Sequence, residues 1–394
     1  MDSITPYIAP LLVFGLVVFV HELGHFVAAK LTGVYAPVFS LGWGSRLFGI
    51  RRGETDYRVS LIPLGGYVRM ASQDDESMVG IEGGSDRGSL GSVEERPAQM
   101  PSALWDAESM APFGPKAVPA DRWVENKSTS ARVFILSAGV LMNILLTLVV
   151  STGIYYRAGN TYVPAVIDSV VPGAPAAVAG LAGGDRIVGI NGHAVRAWDE
   201  VLSAVAPVTS GSLRLEIQRG TERFTREITP QLAEIDDPVT GAKKSVGRIG
   251  IQVRATTVTE TLSLGGAVTA GVSATWRMTT SVASVLGGLA TGQVSAKNLG
   301  GPIQIARTSV EAAKNGPESL WSLIAFLSLN IAILNLVPIP VLDGGQILLV
   351  LAERVQGRAF SGRVKEGIAR VGVLAVLALI VLVTFNDLRN LFTR

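Results

Sequence analysis

Four stretches of the chain are apolar over lengths that suit a membrane. They run from Ile4 to Leu31, from Arg132 to Tyr156, from Leu320 to Leu351 and from Val371 to Phe385. Helices of about 20 apolar residues span a bilayer core. The first stretch follows an acidic Asp2 without an Arg or Lys leader, so it reads as a retained transmembrane helix and not a cleaved signal. No charge interrupts the second between Val133 and Tyr156, and its lone Asn143 is expected to make an interhelical hydrogen bond. The third is interrupted by Pro338, Pro340, Asp343 and Gly344-Gly345. A fifth stretch, Leu262 to Ala296, has one ionisable side chain, Arg277, but is dominated by Thr, Ser, Gly and Ala. Its low hydrophobicity favours a helix on the membrane surface over a span.

Elsewhere the period changes. Between the glycines of Ser40-Leu41-Gly42-Trp43-Gly44 and Leu64-Gly65-Gly66-Tyr67, the segment Asp56 to Ile62 alternates polar and apolar residues, which predicts a strand in a small sheet or hairpin. Trp43 beside these glycines reads as an interfacial anchor. Residues 72–121 are rich in Gly, Ser, Pro and acidic side chains, the composition of a flexible insertion. From Tyr162 to about Arg254 the pattern is that of a soluble α/β module. Strands are expected at Val166–Val170, Gly184–Ile190 and Leu213–Ile217, helices at Ala174–Leu181 and Trp198–Ala206, and a turn at Asn191-Gly192.

Composition agrees with a membrane protein that carries a soluble part. The 394 residues are 48% hydrophobic and 17% charged, with a mean hydropathy of +0.39. A net charge of +2 without a basic, aromatic-laced run gives no support for nucleic acid. The absence of cysteine excludes disulfides, a thiol nucleophile and thiolate-bound zinc. Basic residues set an expected orientation. Lys30, Arg46, Arg51, Arg52, Arg58 and Arg69 follow the first span, and Arg354, Arg358, Arg363, Lys365 and Arg370 precede the fourth. Both loops should be cytoplasmic, with the termini and the soluble module outside.

The candidate chemistry sits in the first span. From Ile4 to Ala29 the only ionisable side chains belong to His21-Glu22-Leu23-Gly24-His25. On a helix the two histidines share a face and can grip one zinc ion, with Glu22 as a general base. Ionisable groups in lipid cost a few kcal/mol each, so they mark function. The chain has three histidines, and the third, His193, follows a turn in the soluble module. A carboxylate is therefore the expected third ligand. Asp343 is the other ionisable group deep in an apolar segment, just after a Pro-broken helix of the kind that survives only around a buried or wet cavity. Asp343 could instead cap the next helix. Asn335 could hydrogen-bond a substrate backbone or an oxyanion.

Three motifs together resemble the site-2 proteases, in particular the bacterial RseP/RasP type: the pentapeptide, Ile62-Pro63-Leu64-Gly65-Gly66-Tyr67-Val68, and Asn335-Leu336-Val337-Pro338-Ile339-Pro340-Val341-Leu342-Asp343-Gly344-Gly345. The soluble module looks like a permuted bacterial PDZ domain, through Ala179-Gly180-Leu181 and Gly184-Asp185-Arg186-Ile187. Gly300-Gly301-Pro302-Ile303 is similar to the family's stretch before its third span. The resemblance implies a zinc ion held by His21, His25 and Asp343, with Glu22 as the catalytic base. It implies substrate binding by Asn335, Pro338 and Pro340. Gly65 and Gly66 would belong to a membrane-associated β-hairpin that presents substrate as an extended strand. Two departures stand out, Val140 where the family usually has proline and a single PDZ module where the RseP group has two.

The expected protein is thus a polytopic α-helical membrane protein with four transmembrane helices, a membrane-associated β-hairpin and one α/β PDZ domain. Its parts would be the first transmembrane helix and hairpin (1–71), the flexible insertion (72–121), the second transmembrane helix (122–158) and the PDZ domain (159–256). A membrane-surface helical region (257–319) and the third and fourth transmembrane helices (320–394) follow. It would be a zinc intramembrane endopeptidase of the bacterial cytoplasmic membrane, with its active site near the cytoplasmic side and its PDZ domain outside. Its partners would be the lipid bilayer, single-pass transmembrane substrates such as anti-sigma factors or remnant signal peptides, and an upstream site-1-type protease, with no nucleic acid. A non-catalytic PDZ scaffold has no need of three ionisable groups in lipid, and a metal transporter would string polar groups along a path.

Overall fold

The computed structural model describes residues 5–72, 118–236, 243–295 and 300–392. Most of the expected insertion, 73–117, lies outside them. The chain divides into two compact units, one of residues 1–151, 272–283 and 299–394, the other of 152–271 and 284–298.

The first unit begins with helix α1 (Thr5–Leu31). Two long strands follow, β1 (Val38–Arg52) and β2 (Thr55–Arg69), and then helix α2 (Thr129–Ala158). Gly24 is where α1 meets α2. A Cβ there would stand 2.7 Å from the Ala138 carbonyl carbon and 2.8 Å from Met142 Cγ. Ala28, Ala29, Ile135 and Ala138 continue this contact. Small residues let apolar helices approach where lipid supplies no hydrophobic drive between them.

The two strands pair antiparallel around Gly53-Glu54, with Arg52 opposite Thr55 and Arg46 opposite Ser60. Gly53 takes φ +64°, which favours glycine. The other end closes too: Val38 faces Arg69 and Leu41 faces Gly66. Val38 to Leu41 also pair with Asp56 to Val59, so the start of β1 lies between the two halves of β2. Phe39 anchors this sheet to α1, with its ring 5.6 Å from that of Phe19 and 5.1 Å from that of Phe26. At the turn, Glu54 joins Lys30 (2.6 Å) to Arg122 (two contacts of 2.8 Å).

The second unit is richer in strands than the sequence pattern predicts. It holds β3 (Asn160–Tyr162), β4 (Ile167–Val170), helix α3 (Pro175–Val178), β5 (Arg186–Ile190), β6 (His193–Ala194) and helix α4 (Trp198–Val205). Then come β7 (Leu213–Arg219), β8 (Glu222–Ile228), β9 (Gln231–Asp236), β10 (Lys243–Arg248), β11 (Ile251–Val253) and β12 (Val258–Glu260). Four strands form one sheet in the order β6-β5-β7-β8, and the rest pair as two-stranded ribbons. The predicted Asn191-Gly192 turn joins β5 to β6, both residues at positive φ. Ile167, Ile187, Val201, Leu215 and Ile217 form the core. The strands after Ile217 were missed because β8 to β10 are largely exposed and their polar residues hide the period of two. The helix expected over Ala174–Leu181 is a single turn, ended by Gly180 at φ +76°.

Helix α5 (Leu264–Ala290), begun by Ser263 accepting from the Gly266 N–H, covers the fifth apolar stretch. Helix α6 (Pro302–Lys314) starts at Gly301, and the Asp387 carboxyl accepts from the N–H groups of Gly301 (2.9 Å), Ile303 (3.0 Å) and Gln304 (3.1 Å). A Cβ on Gly301 would stand 2.8 Å from that carboxyl, which explains the glycine of Gly300-Gly301-Pro302-Ile303. The third apolar stretch is not one helix. It divides into α7 (Pro317–Asn335) and α8 (Asp343–Gln356), with residues 336–342 as an irregular link. The prolines deny the link its helical hydrogen bonds. Gly344 and Gly345 let it press on α8: a Cβ on Gly344 would stand 2.9 Å from Leu336 Cα, and one on Gly345 would stand 2.7 Å from Pro340 Cα. Helix α9 (Gly362–Phe392) ends the described chain.

The helices at Tyr7–Leu31, Thr129–Ala158, Pro317–Asn335 and Gly362–Arg389 are long and apolar enough to cross a membrane. The protein is a polytopic membrane protein. The region 320–394, expected to hold two helices, holds three, and α8 is not among the four candidate spans.

Candidate metal centre and active site

His21 and His25 lie four residues apart on α1, so both rings face α2. They are buried, and their Nε2 atoms are 3.2 Å apart. Asp343, in the first turn of α8, puts Oδ2 at 3.3 Å from His21 Nε2 and 3.5 Å from His25 Nε2. Its carboxyl does not cap the helix; the N-cap residue is Leu342, without a side-chain cap bond. Asp343 Oδ2 is buried and has no hydrogen-bond partner. Ligand atoms about 2.1 Å from a tetrahedral ion stand about 3.4 Å apart. The three donor atoms already have that spacing, and the orphaned oxygen is the kind of atom a cation satisfies. The residues fit a metal.

Gly139 makes the site possible from the α2 side. A Cβ at this position would stand 2.7 Å from His21 Cε1 and would overlap His25 Nε2. Behind the rings, His25 Nδ1 donates to the Ile135 carbonyl at 2.8 Å, and His21 Nδ1 meets the Asn143 carboxamide at 3.3 Å. The interhelical bond expected of Asn143 is this contact, and it falls on the site.

Glu22, His21, His25 and Asp343 line one cavity of about 430 Å³. Asn335, Pro340, Gly65 and Gly66 line it too. Asn335 Nδ2 is 3.3 Å from His21 Nε2. Pro338 is not in the cavity wall among the described residues; it lies in the link that turns the chain toward Asp343. Trp43, expected as an interfacial anchor, lines the cavity and donates its indole N–H to the Gly66 carbonyl at 3.2 Å. A Cβ on Gly66 would stand 3.3 Å from Glu22 Cγ, so glycine lets β2 pass close to the glutamate. His193 is exposed on β6 of the second unit.

Sequence reasoning missed Gly139 and the Ile135 carbonyl. No pattern in an apolar span distinguishes such a glycine or carbonyl. The spacing that offered a signal was Gly24 paired with small residues on a second helix.

A buried His-Glu-x-x-His helix among apolar spans, with a carboxyl closing the set, defines a membrane metalloprotease. The family model for "Peptidase family M50" matches residues 9–379, and the chain belongs to this family, that of the site-2 proteases. Similar curated proteins include the zinc metalloprotease RasP of Bacillus licheniformis, 30% identical over 98% of this chain and 99% of that one. A putative zinc metalloprotease of Agrobacterium fabrum is 31% identical over 98% and 97%. The regulator of sigma-W protease RasP of Bacillus subtilis is 29% identical over 98% of each.

Proposed function

We propose that this metalloprotease cleaves transmembrane segments of pre-trimmed single-pass proteins, with zinc held by His21, His25 and Asp343 and with Glu22 as general base. The observation that carries the reading is the set of three donor atoms 3.2 to 3.5 Å apart, one an orphaned buried oxygen, in the cavity that Glu22 lines. The zinc assignment also agrees with the names of the relatives. Zinc bound there supplies a Lewis acid that polarises the scissile carbonyl and acidifies water.

Glu22 takes a proton from the attacking water and returns it to the amide nitrogen as the C–N bond breaks. Asn335 donates to the oxygen on which charge develops. The substrate helix hides its carbonyls, so it must unwind first. Laid beside Gly65 to Val68, it regains backbone partners as an added strand. Pro340 forms the opposite wall, and Pro338 keeps the link from closing into a helix.

Exposed Leu47, Phe48, Ile50, Leu61 and Ile62 support a hairpin associated with the membrane. The second unit is a PDZ domain in this reading and filters substrates by size, admitting those an upstream site-1-type protease has already cut. The basic loops support a topology with it on the extracytoplasmic side of a bacterial cytoplasmic membrane and the zinc near the cytoplasmic side. Helix α5 lies along the membrane surface. Anti-sigma factors and remnant signal peptides are the substrates in this reading, in line with the name of the Bacillus subtilis relative, a regulator of sigma-W.

Glu22→Gln tests the mechanism. The variant should bind zinc as the wild type does and lose cleavage of a single-span model substrate by at least about 100-fold. Cleavage at the wild-type rate would overturn the role of Glu22.

A further inference from the structure

Asn143 is fully buried, and its carboxamide stands 3.3 Å from Nδ1 of His21. No step of the reaction uses it. The neighbouring histidine shows what the nitrogen behind a ligand needs. His25 Nδ1 donates to the Ile135 carbonyl, so its Nε2 keeps a lone pair for the pocket. His21 also aims Nε2 at the pocket. An imidazole that offers Nε2 to a cation is neutral and carries its proton on Nδ1. His21 Nδ1 then has to donate, and the group before it is the Asn143 carboxamide.

That carboxamide has a donor end and an acceptor end. With Nδ2 toward His21, two N–H groups face each other, and Oδ1 is buried without a partner. Turned over, Oδ1 accepts from His21 Nδ1–H. The backbone of Asn143 is itself pinned. Its carbonyl accepts from Thr147 Oγ1 at 3.0 Å and from Ser328 Oγ of α7 at 2.9 Å. Thr147 and Ser328 are fully buried.

We propose that Asn143 is a positioning residue for the metal centre, holding His21 as the Nδ1–H tautomer through Oδ1. With the Ile135 carbonyl it forms a pair of acceptors behind the two imidazoles. Such acceptors fix ring orientation and raise ligand basicity. The inference rests on the zinc reading given above.

Chelator competition on the detergent-solubilised full chain tests it, with the melting temperature of the zinc-free protein measured alongside. Asn143→Leu keeps the volume and removes the acceptor; it should bind zinc about 10- to 100-fold more weakly while the zinc-free protein melts as the wild type does. Asn143→Asp keeps an acceptor and should stay within about threefold of wild type. Should Asn143→Leu fail to fold, Asn143→Ala takes its place with the same expectation. Wild-type affinity in Asn143→Leu overturns the proposal. So does an equal loss in Asn143→Asp with an equally lowered melting temperature, the mark of a merely structural role. His21→Ala is the control: if it binds zinc as tightly as wild type, the zinc reading itself fails.

Discussion

Gly139 of α2 packs against the ring of His21, where a Cβ would stand 2.7 Å from Cε1 and 2.9 Å from Nδ1. The same Cβ would overlap His25 Nε2. No side chain larger than hydrogen fits without moving α2 or both rings. Packed helices transmit such a clash because interiors leave few voids. Gly139→Ala should therefore shift the donor atoms by a fraction of an ångström to 1 Å. A misplacement of that size costs about 100-fold in rate. Cleavage of a single-span substrate and zinc content by metal analysis check this, with circular dichroism reporting the helices. Full activity with full zinc in Gly139→Ala would mean the close approach is not a constraint on the site.

The Lys30–Glu54–Arg122 cluster gives a pH-dependent stability of defined sign. Arg122 donates to Glu54 through two nitrogens and holds its carboxyl below the ordinary value of 4.5; partial burial opposes this and Lys30 adds to it. A carboxylate with a depressed folded pKa stabilises the fold above its unfolded pKa. That stability is lost as pH falls through the folded value. The cluster ties the end of α1 and the hairpin turn to the segment before α2. It is partly exposed, so it contributes about 1 kcal/mol. Glu54→Gln should melt lower than wild type by a constant margin at neutral pH. The margin should shrink below about pH 4.5 and vanish once the wild-type carboxyl is protonated. A margin that persists unchanged in acid would mean packing, not charge, holds the turn.

Much of the architecture was legible because lipid imposes a simple code. Runs of apolar residues marked α1, α2, α7 and α9, and the acidic and histidine side chains deep inside such runs, His21, Glu22, His25 and Asp343, are ones that line a common cavity. The prolines at 338 and 340 predicted a break with a helix beginning near Asp343, but not that Asp343 would stand inside the first turn without capping it, nor that the region 320–394 would hold three helices. Asn143 and Trp43 were read by the habits of their residue types, a helix bridge and an interfacial ring. Their contacts with His21 and Gly66 depend on which helix face and which strand end the fold brings near. The exposed strands of the second unit were lost for another reason. Strands paired edge to edge at the surface, such as Gln231–Asp236 with Lys243–Arg248, bury too little to impose alternation.

The indole of Trp43 offers a way to perturb the strand beside Glu22 without touching the metal donors. Its N–H donates to the Gly66 carbonyl, and Gly65, at φ +94°, leaves no room for a Cβ, which would stand 2.9 Å from Trp43 Nε1. The indole thus holds the end of β2 where a glycine-only backbone turns toward the cavity. Trp43→Phe keeps an apolar ring and removes one hydrogen bond of about 1 kcal/mol. If Gly65 to Val68 present the substrate, kcat/KM should fall about fivefold, mainly through KM, since the bond orders the binding strand and not the reacting atoms. Zinc content should be unchanged, because no donor atom contacts the indole. A fall in zinc content would place Trp43 in support of the metal donors instead, and an unchanged KM would separate the Gly66 strand from substrate binding.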